Sequence, residues 1–345
     1  MKIGIVGTSG YAGSELLRLL SGHPEAEVVY VASTTKVGQK VGDVLPQFDR
    51  FYDLVFEPVD ARAMGERCDV VFTATPHGVA MGLAEEVLAG GAALIDIGSD
   101  FRFDDPAVYA AWYGQEHTQP ALAKKAVYGL VELFRDRIPG AGLIANPGCY
   151  PTSAILALAP LVRERLIDLS TIVVASMSGV SGAGQTPKPM YHFPDCVENV
   201  QAYGMPGHRH TPEIERGLSL VLGEPVPPIS FTPHLIPMSR GILTHANAKW
   251  CRPVKTEEVV ELYREFYKGA AFVRVLADRL PQTKLVMGSN FCDIAPRVDA
   301  RSGRILVESA IDNLVKGAAG QAIQNMNVRF GIDERAGLWH PATTP

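Results

Sequence analysis

The stretch "KIGIVGTSGYAGSELLRLL" (2–20) narrows the possible fold more than any other part of the chain. Ile3, Ile5 and Val6 supply a buried strand, and Leu16, Leu17, Leu19 and Leu20 an apolar helix face. Between them Gly7, Gly10 and Gly13 fall as GxxGxxG, a relative of the dinucleotide-binding fingerprint. The first glycine permits a sharp turn, the second lets the backbone approach a pyrophosphate, and the third allows close packing of helix on strand. The helix N-terminus then faces the phosphates. A glycine triplet alone is common; following an N-terminal strand and opening a helix, it is specific.

Further apolar strands follow at "AEVVYVAS" (26–33), "CDVVFTAT" (68–75) and "AALIDIGS" (92–99). The helical stretch "VAMGLAEEVLAGG" lies between the last two, closed by Gly90 and Gly91. This alternation predicts a parallel, doubly wound α/β sheet, a Rossmann-type domain. At the end of the second strand an NAD site needs a carboxylate for the ribose hydroxyl. The chain instead has Ser33, Thr34, Thr35 and Lys36, with Lys40 behind. Hydroxyls and cations suit a 2′-phosphate, so the expected cofactor is NADP(H).

A second signal is "NPGCYPTSAILALAPLV" (146–162). An apolar run of helical spacing follows Cys149, Pro151 suits a first turn, and Pro147 with Gly148 ends the apolar "GLIA". Most free cysteines are small buried hydrophobes. One at a strand-to-helix junction, among unpaired N–H groups, is instead placed to act as a thiolate. Beyond it, "GHRHTPEI" (207–214) offers His208, His210 and Glu213. The histidines share a side if that segment is extended. A metal pair, a catalytic base with a helper, and surface histidines all compete. The metal reading is weakest, because no third ligand stands at a familiar spacing. The strand-rich stretches 229–250 and 288–313 predict a mainly antiparallel sheet in an α+β second domain. A small-residue helix follows in "DNLVKGAAGQAIQNMNVRFG".

Length and composition fit this picture. The 345 residues suffice for two domains, and 20% charged residues describe an ordinary globular chain. A net charge of −5 gives no support for nucleic-acid or membrane-surface binding, and no apolar run reaches a membrane span. The five scattered cysteines form no CxxC pair, which argues against disulfides and zinc ribbons. No leader precedes the first strand, so the expected location is the cytoplasm.

Taken together and in order, "GTSGYAG", "NPGCYPT", "GHRHTPEI" and "DNLVKGAAGQAIQ" closely resemble the N-acetyl-gamma-glutamyl-phosphate reductase family of the semialdehyde dehydrogenase superfamily, over essentially the whole chain. The resemblance implies a Rossmann NADP domain from 1–148 and 314–345, and a catalytic α+β substrate and dimerisation domain from 149–313. It implies NADPH-dependent reduction of an acyl phosphate to an aldehyde through a cysteine thioester, in arginine biosynthesis. Cys149 matches the nucleophile and His208 the acid/base, with His210 an alternative. Gly7, Ser9, Gly10, Tyr11, Ala12, Gly13, Ser33, Thr34, Thr35 and Asn313 match cofactor contacts. Arg102, in "SDFR", matches a phosphate ligand, Glu213 a substrate or orienting residue, and Arg240 a carboxylate partner. No metal is implied. The implied partners are a small-molecule acyl phosphate and further copies of the chain, as dimer or tetramer, with no nucleic acid or membrane. The rival readings are reduction of an aspartyl or aminoadipyl phosphate, and a non-catalytic NADP-binding sensor.

Overall fold

The computed structural model describes residues 1–343. The chain divides into two compact units, one of residues 1–147 and 318–339, the other of residues 148–317 together with 340–343. Residues 148, 314–317 and 340–343 were expected with the first unit and fall in the second; for the last of these, Thr343 donates both its N–H and its hydroxyl to Met287 O. Thr344 and Pro345, also in the expected segment, lie outside the described residues.

The first unit is built on six strands: β1 (Lys2–Val6), β2 (Glu27–Ala32), β3 (Val70–Thr73), β4 (Ala93–Asp96), β5 (Val127–Tyr128) and β6 (Leu143–Ala145). Their spatial order is β2-β1-β3-β4-β6-β5, with every pairing parallel. β3 and β4 are buried at all four positions, as strands covered on both faces must be. The strand-to-helix alternation read from the sequence is present; the three expected strands are each shorter than expected by one to three residues at each end. The Gly320–Arg329 helix completes this unit: Gln321 and Asn325 both donate side-chain N–H to Gly129 O, and His23 Nε2 bonds Asn327 Oδ1.

The second unit has seven strands: β7 (Val173–Ser178), β8 (Gln201–Ala202), β9 (Ser230–Leu235), β10 (Ile242–Lys249), β11 (Val273–Val275), β12 (Cys292–Asp299) and β13 (Arg304–Ile311). Their order is β11-β12-β13-β10-β7-β9-β8. Antiparallel pairing prevails, but β7 with β9 and β11 with β12 are parallel, so the sheet is mixed. The β7-to-β9 connection contains the Thr211–Leu222 helix, the crossover that a parallel pair requires.

The Cys149–Arg163 helix is the centre of the second unit's core: residues 150–162 are all buried, while Cys149 is half-buried. Pro160 inside this helix has no N–H for Leu156 O. The Tyr267 hydroxyl donates to that carbonyl, so the acceptor orphaned by proline is satisfied in the dry interior. The Thr211–Leu222 helix packs tightly alongside; a Cβ on Gly217 would meet Ile155 Cδ1 at 2.2 Å.

Candidate active site

The glycine turn of the first unit has the geometry its spacing predicts. Gly7 sits at φ +90°, and a Cβ there would stand 2.4 Å from Ala74 O. A Cβ on Gly13 would stand 2.2 Å from Gly7 O, the close helix–strand contact expected of the third glycine. Gly10 differs: a Cβ there would meet only Gly7 O, at 3.5 Å. It caps the Tyr11–Leu20 helix in extended backbone, with no side chain on the N–H groups of the first turn. Tyr11 is 42% exposed. The turn therefore offers bare backbone donors at a helix N-terminus, the requirement for a dinucleotide's phosphates.

Beyond β2 the Ser33 hydroxyl accepts from Thr35 N (3.2 Å) and Lys36 N (3.1 Å), folding this segment into a tight turn. Thr34 and Thr35 are exposed on it, and Lys40 pairs with Asp53 at 3.6 Å. No carboxylate occupies residues 33–36. The residues present thus fit a phosphorylated ribose better than a free one.

Arg102 is only 5% exposed. Its Nε donates to Asn146 O (3.0 Å) and its Nη2 to Ile97 O (2.9 Å). Asn146 in turn donates its N–H to Asp96 O and its side-chain amide to Ala318 O, while accepting from Asn325 Nδ2. Beside it, burial and the Asp100 charge push the Asp96 carboxyl up to about 6.

In the second unit, Gly148 caps the Cys149 helix in extended backbone, again with no side-chain cap. Its N–H donates to Glu213 Oε1 at 2.8 Å. Glu213 is fully buried in the first turn of the Thr211–Leu222 helix, so a carboxylate from one helix pins the start of the other. On the other side of the thiol, a Cβ on Gly317 would approach Cys149 Cβ to 2.7 Å. Gly317 lies in the π-helical turn Val315–Ala319.

His208 and His210 are not on a strand. They form the turn leading into the Thr211–Leu222 helix, because His210 is its cap and Pro212 its second residue. Their rings still meet, 5.0 Å between centroids. His208 also packs edge-on against Tyr150 (5.6 Å), Tyr203 (5.4 Å) and Phe231 (5.6 Å). Burial, helped by the Arg209 charge, lowers the His208 imidazole to about 4. His208 Nδ1 accepts the His210 backbone N–H at 3.1 Å. The neutral ring therefore carries its proton on Nε2. Tyr150 adjoins Cys149 in sequence and bonds the Tyr203 hydroxyl at 2.9 Å. A negative charge on Cys149 acts on both phenols. Cys149, Tyr150, Tyr203 and His208 thus form one cluster. Sequence reasoning missed the two tyrosines, though "CY" placed Tyr150 beside the thiol in plain view.

Arg240 is half-buried, with Nη1 3.5 Å from Asp312 Oδ2. Asp312 also accepts from the N–H groups of Gly288, Leu314 and Val315. Neighbouring Asn313 accepts from Gly241 N and donates to Ser181 Oγ.

The comparisons with known proteins agree with this layout. Residues 2–141 match the family described as semialdehyde dehydrogenase, NAD binding domain, and residues 149–313 match semialdehyde dehydrogenase, dimerisation domain. An N-acetyl-gamma-glutamyl-phosphate reductase of Symbiobacterium thermophilum is 52% identical over 340 residues, 98% of this chain and 97% of that protein. The protein of that name from Methanopyrus kandleri is 51% identical over 99% of both chains. Among solved structures, aspartate semialdehyde dehydrogenase II from Vibrio cholerae superposes with a TM-score of 0.72 at 17% identity, over 95% of this chain and 97% of that one. The aspartate semialdehyde dehydrogenase of Candida albicans, solved with NADP, has a TM-score of 0.69 at 19% identity, over 95% and 97%. Identity that low speaks to fold alone. At about half identity over nearly full length, this chain belongs to the N-acetyl-gamma-glutamyl-phosphate reductase family of semialdehyde dehydrogenases.

Proposed function

We propose that the chain catalyses NADPH-dependent reduction of N-acetyl-L-glutamyl 5-phosphate to N-acetyl-L-glutamate 5-semialdehyde, releasing phosphate, as a step of arginine biosynthesis. The observation that carries this is the half-buried Cys149 at the start of a buried, glycine-capped helix beside the His208 cluster. It stands in a chain whose curated relatives bear that reductase's name.

Cys149 attacks the acyl carbon: a C–S bond forms, the C–O bond to phosphate breaks, and phosphate departs with the electron pair. Gly7, Gly10 and Gly13 would hold the pyrophosphate of NADPH, which when bound would supply the hydride that reduction of the thioester consumes. The first-turn N–H groups of the Cys149 helix are donors for the oxyanion of each tetrahedral stage. Glu213 fixes that turn through Gly148. Collapse of the second stage breaks the C–S bond, so Cys149 leaves as thiolate and aldehyde is released. We assign Arg240 to the substrate carboxylate, where a planar guanidinium suits bidentate pairing. Arg102 is assigned to the phosphoryl group, and Asn313 to a cofactor contact. Ser33, Thr34 and Thr35 are assigned to the 2′-phosphate, with Ser9, Tyr11 and Ala12 along the pyrophosphate turn.

We further propose a homo-oligomeric, cytoplasmic enzyme. Helices cover one face of the second sheet; on the other, Met177, Leu243, His245, Leu306 and Glu308 are only partly buried, as a surface met by a second copy would be.

The test is oxidation of N-acetylglutamate semialdehyde with NADP in phosphate, followed by NADPH absorbance. Phosphate-dependent turnover with NADP, weaker with NAD, supports the reading. Turnover only with aspartate semialdehyde overturns the substrate. Tight NADP binding without turnover on any aldehyde favours the sensor.

A further inference from the structure

Strand β13 ends at Ile311, and the next residue, Asp312, is a fully buried carboxylate with both oxygens engaged. Its Oδ1 accepts the N–H groups of Leu314 (2.8 Å) and Val315 (3.1 Å), which bends the chain into the π-helical turn Val315–Ala319. Its Oδ2 accepts the Gly288 N–H at 2.7 Å and lies 3.5 Å from Arg240 Nη1. The Asp312 carbonyl accepts the Gly317 N–H at 2.9 Å, a bond from residue 317 back to 312, the step of a π-helix. Turns of this kind are rare and occur mostly at functional sites.

Two parts of the site converge on this residue. On one side, Gly317 puts bare backbone against the residue that carries the thiol: an added Cβ would stand 2.7 Å from Cys149 Cβ and 3.1 Å from Cys149 Cα. The turn is anchored by its neighbour Lys316, fully buried with Nζ 5.8 Å from the centre of the Phe272 ring. On the other side is Arg240. The residue after it, Gly241, sits at φ +107° and donates its N–H to Asn313 Oδ1 at 2.7 Å. Consecutive residues, Asp312 and Asn313, therefore hold the guanidinium and the backbone beside it.

We propose that Asp312 is a positioning residue serving both ends of the substrate: its side chain orients the Arg240 guanidinium, and its carbonyl fixes the Gly317 backbone against Cys149. The proposal rests on the reading above, in which Cys149 is the nucleophile and Arg240 receives the substrate carboxylate. Bidentate pairing depends on the plane of the guanidinium, which the contact with Oδ2 restrains. Thiolate attack depends on where the sulfur stands, and a displacement of about 1 Å can cost on the order of a hundredfold in rate. Asp312 acts only through these two groups. Asparagine is a poor substitute, because N–H donors converge on both oxygens and an amide turns one of those positions into a donor.

The experiment compares Asp312→Asn, Arg240→Lys, the double variant and Gly317→Ala in the full-length chain. It reads steady-state oxidation of N-acetylglutamate semialdehyde with NADP and phosphate, and iodoacetamide labelling of Cys149, followed on its peptide by mass spectrometry. Arg240→Lys should raise KM for the semialdehyde about tenfold and leave labelling unchanged. Gly317→Ala should lower kcat and alter labelling, with KM little changed. Asp312→Asn should do both: KM rises about tenfold and kcat falls about tenfold. Its Cys149 should be labelled about threefold faster, because the backbone beside the thiol loosens. In the Arg240→Lys background, Asp312→Asn should add little to KM yet still speed labelling. An unchanged KM or unchanged labelling in Asp312→Asn overturns the proposal, as do KM effects that multiply in full. If Asp312→Asn does not fold, Asp312→Glu shifts the oxygens while keeping the charge and supports the same comparison. Labelling does not depend on turnover. A wild type inactive on the semialdehyde would overturn the reductase reading, and labelling would then decide by itself whether Asp312 positions Cys149.

Discussion

Two helices in this chain begin in the same way and differ in how the beginning is secured. The Tyr11–Leu20 and Cys149–Arg163 helices are each capped by a glycine in extended backbone, φ −76° at Gly10 and −69° at Gly148, and neither has a side-chain cap. At Gly10 the cap's own N–H is satisfied three residues back, by Gly7 O at 3.1 Å. At Gly148 it is satisfied by Glu213, a carboxylate 65 residues along the chain. The first is a self-contained loop suited to receiving a ligand's charge. The second is braced from outside, as a turn must be if it is to hold a reactive atom in fixed geometry through successive bond changes.

The largest effect should separate the two turns by chemistry. Cys149→Ser keeps the brace and the fold but removes a good nucleophile and leaving group. Turnover should fall on the order of a thousandfold or more while NADP affinity measured by calorimetry is unchanged. Retained turnover would remove Cys149 from the reaction. Next, Gly10→Ala and Gly13→Ala should fail differently. The first has room in the protein and should weaken NADP binding with little loss of Tm. The second presses on Gly7 O and should lower Tm itself. Equal Tm values for the two would contradict the open approach at Gly10.

Glu213→Ala tests the brace. It strands the buried Gly148 N–H, at about 1–3 kcal/mol of stability, and should lower kcat more than it raises KM. An unaffected kcat would make the brace purely structural. The His208 imidazole gives a pH signature of comparable size. Its folded value near 4 lies below the unfolded 6.5, so the unfolded chain binds the proton first as pH falls. Its stabilising contribution is complete above 6.5 and is lost on acidification toward 4, up to about 3 kcal/mol. Denaturant melts across that range should show wild type losing more stability than His208→Asn. The smallest effect is Tyr267→Phe, which leaves Leu156 O without the hydroxyl that offsets Pro160. A loss of about 1–2 kcal/mol is expected, with kcat unaffected.

The same contrast explains what could be read from the sequence. The Gly7, Gly10 and Gly13 turn was legible because each glycine's task is set by neighbours within a few residues or on the next strand. β2, β3 and β4 were legible as apolar runs, though their ends were not. Cys149 could be placed at a helix start from Pro147, Gly148 and Pro151 alone. The contact between Glu213 and Gly148 and the Tyr150–Tyr203 bond had no local signal, since each joins segments more than fifty residues apart. Whether 207–210 is extended was left open by the sequence; the helix cap at His210 makes that segment a turn. Parallel pairing within the second sheet was hidden for a similar reason. The strands carry the same alternation in either direction, and for β7 and β9 it is the helical crossover between them that fixes it.

The amide of Asn146 reaches across to Ala318 O at 3.1 Å, which places the last ordered stretch before residue 148 against the first after 317. The two cuts that would excise residues 148–317 are therefore neighbours, and a short peptide could rejoin them. In topological terms, residues 148–317 are an insertion between two neighbouring points of the first unit's chain, so the strands of the nucleotide-binding sheet are all laid down before it and only the closing helix after it.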